Sequence, residues 1–436
     1  MEKNKVSIVK FNNYRENIRR AIEMCDGLIH LKVSDKVLLK PNLVMWDSVY
    51  PFPKYGVITT SVVVEEVVKL LKEYGCSDIT LGESSIEDAE LGSGTKQAFE
   101  GLGYHHLQAK YGLKRVDFND GPFTKTDFGD FSLNIASQVF ESDFIINLPV
   151  LKTHSQTKVS LGFKNLKGCL DLTSKIRCHN KNTPLNHYIS ELGEEISPQL
   201  TVIDGIYSLE RGPAFNGRAY RSDVIIASRD MFSADVIGCQ AIGFTPSEIE
   251  YLARHASKNN LPLDTSLIKI IGERLDEISM KLEWDWKWNK DKTAPEALER
   301  MGVSGLYYPK YDDTLCSGCA HMTNIMLVLL LGAYKEKPFS GYEFIGGKAT
   351  LSRGGYDKSF LFGNCAVGLN KNNPAIREAL EIRGCPPGTS EVVQVLNKHG
   401  IPASMDMYAA YRNALAAKYK DKSGFEEDHF SCNNFA

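Results

Sequence analysis

Short β-type runs alternate with amphipathic helical stretches along the first third of the chain, and this alternation limits the fold more than any other feature of the sequence. The β-type runs lie at residues 6–11, 36–39, 79–81 and 144–148, with helical stretches at 15–24, 62–74 and 95–102. Such an alternation is typical of βαβ units, which form parallel sheets with helices on their faces. We therefore predict an α/β protein whose amino-terminal domain contains an open, largely parallel sheet.

The composition argues against two classes of partner. The 51 Lys and Arg residues nearly balance the 54 Asp and Glu residues, which gives a formal charge of −3, whereas nucleic-acid-binding domains are usually strongly basic. The longest apolar run, at residues 325–333, has about half the length of a bilayer-spanning helix, and no apolar stretch follows the amino terminus. We expect a cytoplasmic protein that binds neither nucleic acid nor membrane. The sequence leaves the oligomeric state open.

Changes in composition along the chain suggest its domain boundaries. We predict that residues 1–260 form the α/β domain, 261–310 a connector, 311–410 a smaller α/β domain and 411–436 a carboxyl-terminal tail. The connector holds the charged, Trp-rich run at residues 281–289, whose tryptophans we expect to pack on a neighbouring domain.

Four of the ten cysteines lie in one stretch and share a loop context. Cys316-Ser-Gly-Cys319 places two thiolates within reach of one metal centre, Cys365 follows Gly-Asn, and Cys385 lies between Gly384 and two prolines. Four cysteines suit a structural zinc ion or a [4Fe–4S] cluster. Zinc ribbons usually pair two short Cys-x-x-Cys knuckles, and only one is present, so the spacing favours the cluster. The alternatives are a zinc site or four buried cysteines.

The same motifs, Cys-Ser-Gly-Cys-Ala, Gly-Asn-Cys-Ala and Gly-Cys-Pro-Pro, resemble the proximal-cluster module of nickel–iron hydrogenase small subunits. The likeness covers about residues 311–400. It implies a flavodoxin-like topology and one [4Fe–4S] cluster that passes electrons, held by Cys316, Cys319, Cys365 and Cys385. Hydrogenase activity is not implied, because the further cluster motifs of hydrogenases are missing from the sequence.

A second metal site is a weaker hypothesis. Cys169, Cys178, His179 and His187 are potential ligands close in sequence, but their spacing fits no known template. The sequence leaves this question open.

Basic and amide side chains follow apolar strands at several points. Lys40-Pro-Asn42, Lys152-Thr-His154, Lys164-Asn165 and Lys167-Gly168 stand where ligands bind in open α/β sheets. Several lysines together form an anion site, and His is the side chain best suited to acid–base work near neutral pH. We predict a small anionic substrate, with Lys152 and His154 as catalytic residues; the predicted substrate-binding residues are Lys40, Asn42, Lys164, Asn165 and Lys167. Glu83 is a weaker candidate, and the alternative is a set of surface lysines.

These motifs, with Asp204-Gly205 and Gly212-Pro213 further on, resemble the domain-of-unknown-function 362 family over about residues 36–245. The function of that family is not established, so the resemblance implies a fold and a site but no reaction. Its members frequently carry iron–sulfur domains at the carboxyl end, which agrees with the cysteine motifs.

The two sites together predict a redox enzyme in which a [4Fe–4S] cluster delivers electrons to a small anionic substrate, with a ferredoxin-like protein as candidate electron donor. One alternative is a carrier or assembly protein whose cargo is the cluster. The other is a non-redox lyase or isomerase with a structural cluster.

Overall fold

The computed structural model describes residues 3–12, 15–212, 217–334, 338–339 and 341–432. Pro213 of the Gly212-Pro213 motif lies outside these ranges. The strands are β1 Asn4–Lys10, β2 Val37–Pro41, β3 Ile79–Glu83, β4 Lys114–Asp117, β5 Phe123–Asp127, β6 Ser132–Ala136, β7 Phe144–Leu148, β8 Val150–His154, β9 Lys158–Ser160, β10 Leu200–Glu210, β11 Arg218–Ser228, β12 Ile268–Gly272, β13 Leu306–Tyr307, β14 Tyr342–Gly346, β15 Lys358–Phe362 and β16 Ala379–Ile382.

The α-helices are α1 Glu16–Met24, α2 Ser61–Tyr74, α3 Thr95–Gly101, α4 Tyr104–Tyr111, α5 Ser137–Glu141, α6 Gly162–Asn165, α7 Leu172–Arg177, α8 Leu185–Glu195, α9 Met231–Ala241, α10 Glu250–Asn259, α11 Leu275–Ile278, α12 Glu296–Arg300, α13 Ser317–Ala333, α14 Gly363–Asn370, α15 Thr389–Lys398 and α16 Met405–Ala417. Short 3-10 helices follow at Phe118–Asp120, Leu166–Cys169, Pro246–Glu248 and Glu427–Phe430.

The large sheet has the strand order β12-β1-β11-β10-β7-β2-β3-β4, and β8 extends it by pairing with β10 and β9. Strands β4, β3, β2, β7 and β10 run parallel in succession, whereas β11 is antiparallel to both of its neighbours. The strands β2 and β7 are buried along their whole length, as expected where helices cover both faces of a parallel sheet. The predicted α/β fold with a largely parallel sheet is confirmed.

A second, smaller sheet has the order β13-β14-β15-β16, with all its strands parallel. Its strands lie in the sheet in the order in which they occur in the sequence. In flavodoxin the second strand instead lies at the edge of the sheet, next to the first, in the order 2-1-3-4-5. The carboxyl ends of β15 and β16 lie side by side, because Phe362 pairs with Ile382 at the last register position of both strands. The loops that carry Cys365 and Cys385 therefore leave the sheet at the same edge.

The two sheets are joined by a continuous apolar core. Buried side chains of α13 and α15 belong to the same cluster as those of α1, α2 and the large sheet. The range expected to be a connector contributes strands at both ends, since β12 pairs with β1 and β13 with β14. The carboxyl-terminal segment packs back on the first domain, where Phe425 and Phe430 contact the ring of Tyr55.

None of the helices in the described ranges has both the length and the apolar character needed to cross a bilayer.

Candidate functional site

The polar groups that follow the strands of the large sheet surround one cavity. Asn42 follows β2, Glu83 ends β3, Lys152 and His154 belong to β8, and α6 with the next 3-10 helix contributes further residues. The cavity, called here the basic cavity, has a volume of about 130 Å³. Its walls on this side are Asn42, Glu83, Lys152, His154, Ser160, Lys164, Asn165, Lys167 and Lys175. The predicted substrate-binding and catalytic residues thus share one site, except for Lys40.

Lys40 forms a buried ion pair behind the cavity wall. Its Nζ atom lies 2.7 Å from Oε2 of Glu83 and donates a second hydrogen bond to the carbonyl of Pro41. A Cβ atom at Gly168 would lie 2.0 Å from Oε1 of Glu83 and 2.7 Å from Nζ of Lys40, so only glycine fits against the pair. Because Glu83 neutralises its charge, we assign Lys40 a supporting position rather than direct contact with an anion.

A chain of amide groups positions Lys152. Its Nζ atom donates to Oδ1 of Asn42 across 2.6 Å and to the carbonyl of Val57. Asn42 donates in turn to Oδ1 of Asn165, and Asn165 donates to Asn147. Lys152 and His154 point to the same side of β8, since side chains alternate along a strand. Ser160, paired with Lys152 across β8 and β9, lines the same cavity.

The turn that carries Lys164 is held by a carboxylate from α9. Asp235 accepts hydrogen bonds from the backbone N–H groups of Gly162 and Phe163 at 2.6 and 3.1 Å. A Cβ atom at Gly162 would lie 2.7 Å from Oδ1 of Asp235, so the close approach requires glycine. Lys164 itself forms no hydrogen bond or ion pair within the described part of the chain. Its amino group is available to a ligand in the cavity.

Burial and mutual repulsion lower the proton affinity of the cationic groups. Burial, with the positive charge of Lys40, lowers the pKa of Lys152 to about 7, against an opposing effect of Glu83. Burial and the neighbouring lysines also hold the pKa of Lys164 and of His154 well below their usual ranges. A bound anion would offset this burial and repulsion and would favour the protonated forms of Lys152 and Lys164, so the site is suited to take up an anion together with a proton.

His154 is neutral and presents a donor to the cavity. Its Nδ1 atom accepts the backbone N–H of Gln156 at 3.1 Å. A neutral imidazole that accepts at Nδ1 carries its proton on Nε2. His154 is thus suited to donate a hydrogen bond from Nε2–H to a ligand, since its Nδ1 atom already accepts the backbone N–H of Gln156.

The second domain forms the opposite wall of the basic cavity. Ser317, Ala320, His321 and Asn324, all on α13, line it. Contacts between the domains hold this wall in place: Lys167 lies 2.6 Å from Nε2 of His179, and Nδ1 of His179 donates to the carbonyl of Asp313. The site is therefore complete only with both domains present.

The four cysteines lie around the amino-terminal ends of α13 and α14. Cys316 precedes α13, Cys319 lies in its first turn, and Cys365 lies in the first turn of α14. Gly363 has φ +82°, and a Cβ atom there would lie 3.2 Å from the Sγ atom of Cys319. The loops of Cys365 and Cys385 are tied together by two hydrogen bonds between Asn364 and Gly384.

The thiol groups interact electrostatically. A hydrogen bond from Cys319, together with the positive charges of Lys348 and Lys167, lowers the pKa of Cys316 to about 5. The pKa of Cys319 is raised by that same hydrogen bond and by the charges of the other three cysteines. Cys316 and Cys319 are partly buried, and Cys365 and Cys385 are exposed.

Four cysteine thiols are the donor set that a [4Fe–4S] cluster uses. Four cysteines without a disulfide surround one sheet edge, and a cubane cluster is held by four thiolates, each on a different iron atom. No group of three or more His, Cys, Asp or Glu side chains among the described residues is placed to hold a single metal ion.

The residues of the second suggested metal site are engaged elsewhere. His179 contacts Lys167 and Asp313, and His187 lies 3.2 Å from the carboxylate of Asp130. Cys169 and Cys178 are buried, and burial raises the pKa of both thiols.

Several residues of the basic cavity lie outside the sequence prediction, among them His321, Gln156 and Lys175. His321 reaches the cavity from α13, Gln156 donates to the carbonyl of Leu315, and Lys175 donates to the carbonyl of Ser84. His321 lies two residues after Cys319 and before the apolar run at residues 325–333, and the motifs of this stretch indicate the cysteine site alone. Lys175 follows no strand, so the strand-end rule could not find it.

The first domain is similar to a known protein family. Residues 37–240 match the family described as Domain of unknown function (DUF362). The DUF362 match includes every predicted residue of the basic cavity and ends before the four cysteines. The hydrogenase-like reading of residues 311–400 therefore stays a prediction.

Two further likenesses were found. Over 259 residues the chain is 28% identical to thylakoid-associated protein sll1697 of Synechocystis sp.. The aligned region covers 57% of this chain and 77% of that protein. The lactate racemase apoprotein from Thermoanaerobacterium thermosaccharolyticum aligns with a TM-score of 0.35 and 12% identity over 57% of this chain. This alignment spans only 58% of the racemase chain.

Proposed function

We propose that the chain is an iron–sulfur redox enzyme acting on a small anionic substrate held in the basic cavity. One observation carries the proposal: α13 begins at the Cys316 and Cys319 motif, and the next two turns of the same helix form a wall of the basic cavity. Lys167 is electrostatically coupled to Cys316 from the other wall. A single rigid element thus connects the thiol groups to the site that binds the anion.

The chain's own groups supply binding and protons. Lys164 and Lys167 bind the anionic group of the substrate, and the Nε2–H group of His154 donates to it. Lys152, whose pKa is about 7, holds a proton that it can release near neutral pH. A [4Fe–4S] cluster at Cys316, Cys319, Cys365 and Cys385 would supply single electrons. A two-electron conversion then needs two transfers from an external donor, for which we propose a ferredoxin-like protein.

The composition of the chain also bears on its cellular location and its partners. We propose that the chain works in the cytoplasm with a small molecule as its substrate and with neither nucleic acid nor membrane as a partner. The near balance of its charges supports the second point.

Reoxidation of the reduced protein tests the redox role. The anaerobically purified chain, reduced with dithionite and freed of excess reductant, is mixed with a panel of small oxo- and unsaturated carboxylates while its visible absorbance is followed. We expect at least one carboxylate to reoxidise it, and Lys164→Ala to slow this at least about tenfold through loss of the anion contact. Lys125→Ala, on exposed β5, is the matched control. A protein reoxidised by none of these compounds would contradict the proposal.

The exposure of Cys365 and Cys385 favours a second candidate, a cluster carrier. A carrier would transfer its iron and sulfide to an apo-ferredoxin in solution, whereas the enzyme would retain them through repeated reduction and reoxidation. Iron content after gel filtration separates the two.

A further inference from the structure

A second, apolar cavity adjoins the basic cavity. It has a volume of about 130 Å³, and we call it the aromatic cavity. Aromatic and aliphatic side chains of the connector, α13 and α16 form its walls, among them Trp288, Tyr308, Val328, Leu331 and Tyr411. No residue of this wall belongs to the predicted site, so the function described above leaves the aromatic cavity unexplained.

The two cavities share a boundary. Trp286, Tyr311 and Asn324 line both. Tyr311 interacts with Ser155, which belongs to the basic cavity, and Tyr311 also lines the aromatic cavity. A ligand that spans this boundary would have its charged end among the lysines and its apolar end among the aromatic rings.

The aromatic cavity also contains an unused hydrogen-bond donor. The Nε1 atom of Trp288 is buried and has no acceptor within the described part of the chain. Buried indole N–H groups usually find a partner. The π face of a ligand's aromatic ring can accept such a donor weakly.

The cavities are arranged in a row. A third cavity, lined by Cys316, Gly318 and Cys385, shares Ile86, Lys175 and Ser317 with the basic cavity. It shares no wall residue with the aromatic cavity. The basic cavity therefore lies between the cysteines and the aromatic rings, and a tail in the aromatic cavity would leave the charged end of the ligand next to the cysteine site.

We infer that the substrate is an amphipathic carboxylate, with its acid group at Lys164 and Lys167 and an apolar tail of about one aromatic ring in the aromatic cavity. The inference rests on the proposed function, because it takes the anion in the basic cavity to be the substrate. The tail size follows from volume, since an apolar cavity of about 150 Å³ accommodates benzene. Contact with the apolar wall would then give this substrate a higher affinity than short carboxylates that lack the tail.

Calorimetric titration of the full-length, anaerobically purified chain with three probes tests the inference. The probes are hydrocinnamate, propanoate, which lacks the ring, and hydrocinnamyl alcohol, which lacks the charge. We expect hydrocinnamate to bind at least about tenfold more tightly than either, because burial of the ring adds to the anion contact. Val328→Phe, which fills the aromatic cavity, should remove the preference over propanoate. Val33→Phe, at an exposed position of the first domain, should leave it unchanged.

The outcomes separate the inference from the proposed function. If propanoate binds in a manner that depends on Lys164 and hydrocinnamate binds no more tightly, the inference is wrong and the proposed anion site stands. If neither carboxylate binds, both fail. If Val328→Phe retains the full preference for hydrocinnamate, the ring lies elsewhere and the aromatic cavity is not its site. Since Val328 is partly buried, thermal unfolding of the variant is measured alongside, and Leu331→Phe repeats the test from another wall position.

Discussion

The ammonium group of Lys152 lies 2.6 Å from Oδ1 of Asn42, although the two residues are 110 positions apart in the sequence. This contact joins the end of β2 to β8 and fixes a buried cation at the wall of the basic cavity. Asn165 extends the contact by accepting a hydrogen bond from Asn42. Lys152 is thus held by neutral acceptors, and its positive charge remains available to an anion.

Anion binding should weaken as the pH rises. Lys152 has a pKa of about 7, lowered mainly by burial, so it is an ammonium below this pH and largely neutral above it. Sulfate, whose own charge is constant over the range, should bind more weakly at about pH 8.5 than at about pH 6, as measured by calorimetry. Lys152→Met should weaken this dependence without abolishing it, because burial lowers the pKa of Lys175 in the same cavity to about 8. Lys125→Met should leave the dependence unchanged. An affinity of the wild-type protein that rises with pH would contradict the assignment.

Breaking the Lys40 and Glu83 pair should destabilise the fold. Lys40→Met leaves the carboxylate of Glu83 buried without its cation, which we expect to lower the free energy of unfolding by about 3–5 kcal/mol. In the double variant Lys40→Met/Glu83→Gln the free energy of unfolding should fall by less, because no charge is left unpaired. Urea denaturation measures both. Lys114→Met, in an exposed pair with Asp78, is the control, with an expected loss below about 1 kcal/mol.

The carboxyl-terminal helix α16 should depend on Arg412. This fully buried guanidinium pairs with Asp47 and donates to the carbonyl of Pro51. In Arg412→Met the carboxylate of Asp47 loses this partner, and we expect faster proteolysis of the segment after residue 404. Arg300→Met, in an exposed pair with Glu296, should be cleaved at the wild-type rate. Equal cleavage of the two variants would show that the buried pair does not hold the helix.

Cluster loading should depend on the four clustered cysteines alone. The anaerobically purified wild-type protein should be brown, with about four iron and four sulfide per chain. Cys385→Ser should lose most of this iron, whereas Cys25→Ser, at a buried position far from that edge in the sequence, should retain it. Iron and sulfide assays provide the measurement. Colourless protein with one tightly bound zinc would contradict the prediction.

The sequence predicts the first domain well because its signals are local. Alternating strands and helices define the parallel sheet, and the strand-end rule finds Asn42 and Lys152, which follow the parallel strands β2 and β7. The same rule could not show that Lys40 is neutralised, because its partner Glu83 lies 43 residues away. That pairing depends on the order of strands in the sheet.

The contribution of the second domain to the site depends on tertiary packing and could not be predicted from the sequence. His321 lies in an apolar helix and reaches the cavity only because α13 packs against the first domain. Trp286 and Tyr311 have no polar motif around them that would indicate a ligand. The aromatic cavity forms where the connector, α13 and α16 pack against one another. The hydrophobic pattern within a single segment cannot predict a contact between distant segments.

Electron paramagnetic resonance of the dithionite-reduced protein, with and without propanoate, tests the central claim most directly. If the thiols of Cys316, Cys319, Cys365 and Cys385 hold a cluster beside the basic cavity, the protein should give a [4Fe–4S] signal that propanoate shifts. The shift should be lost in Lys164→Ala and retained in Lys125→Ala. A protein without a cluster signal, or a signal that propanoate leaves unchanged in the wild type while calorimetry shows it bound, would contradict the account.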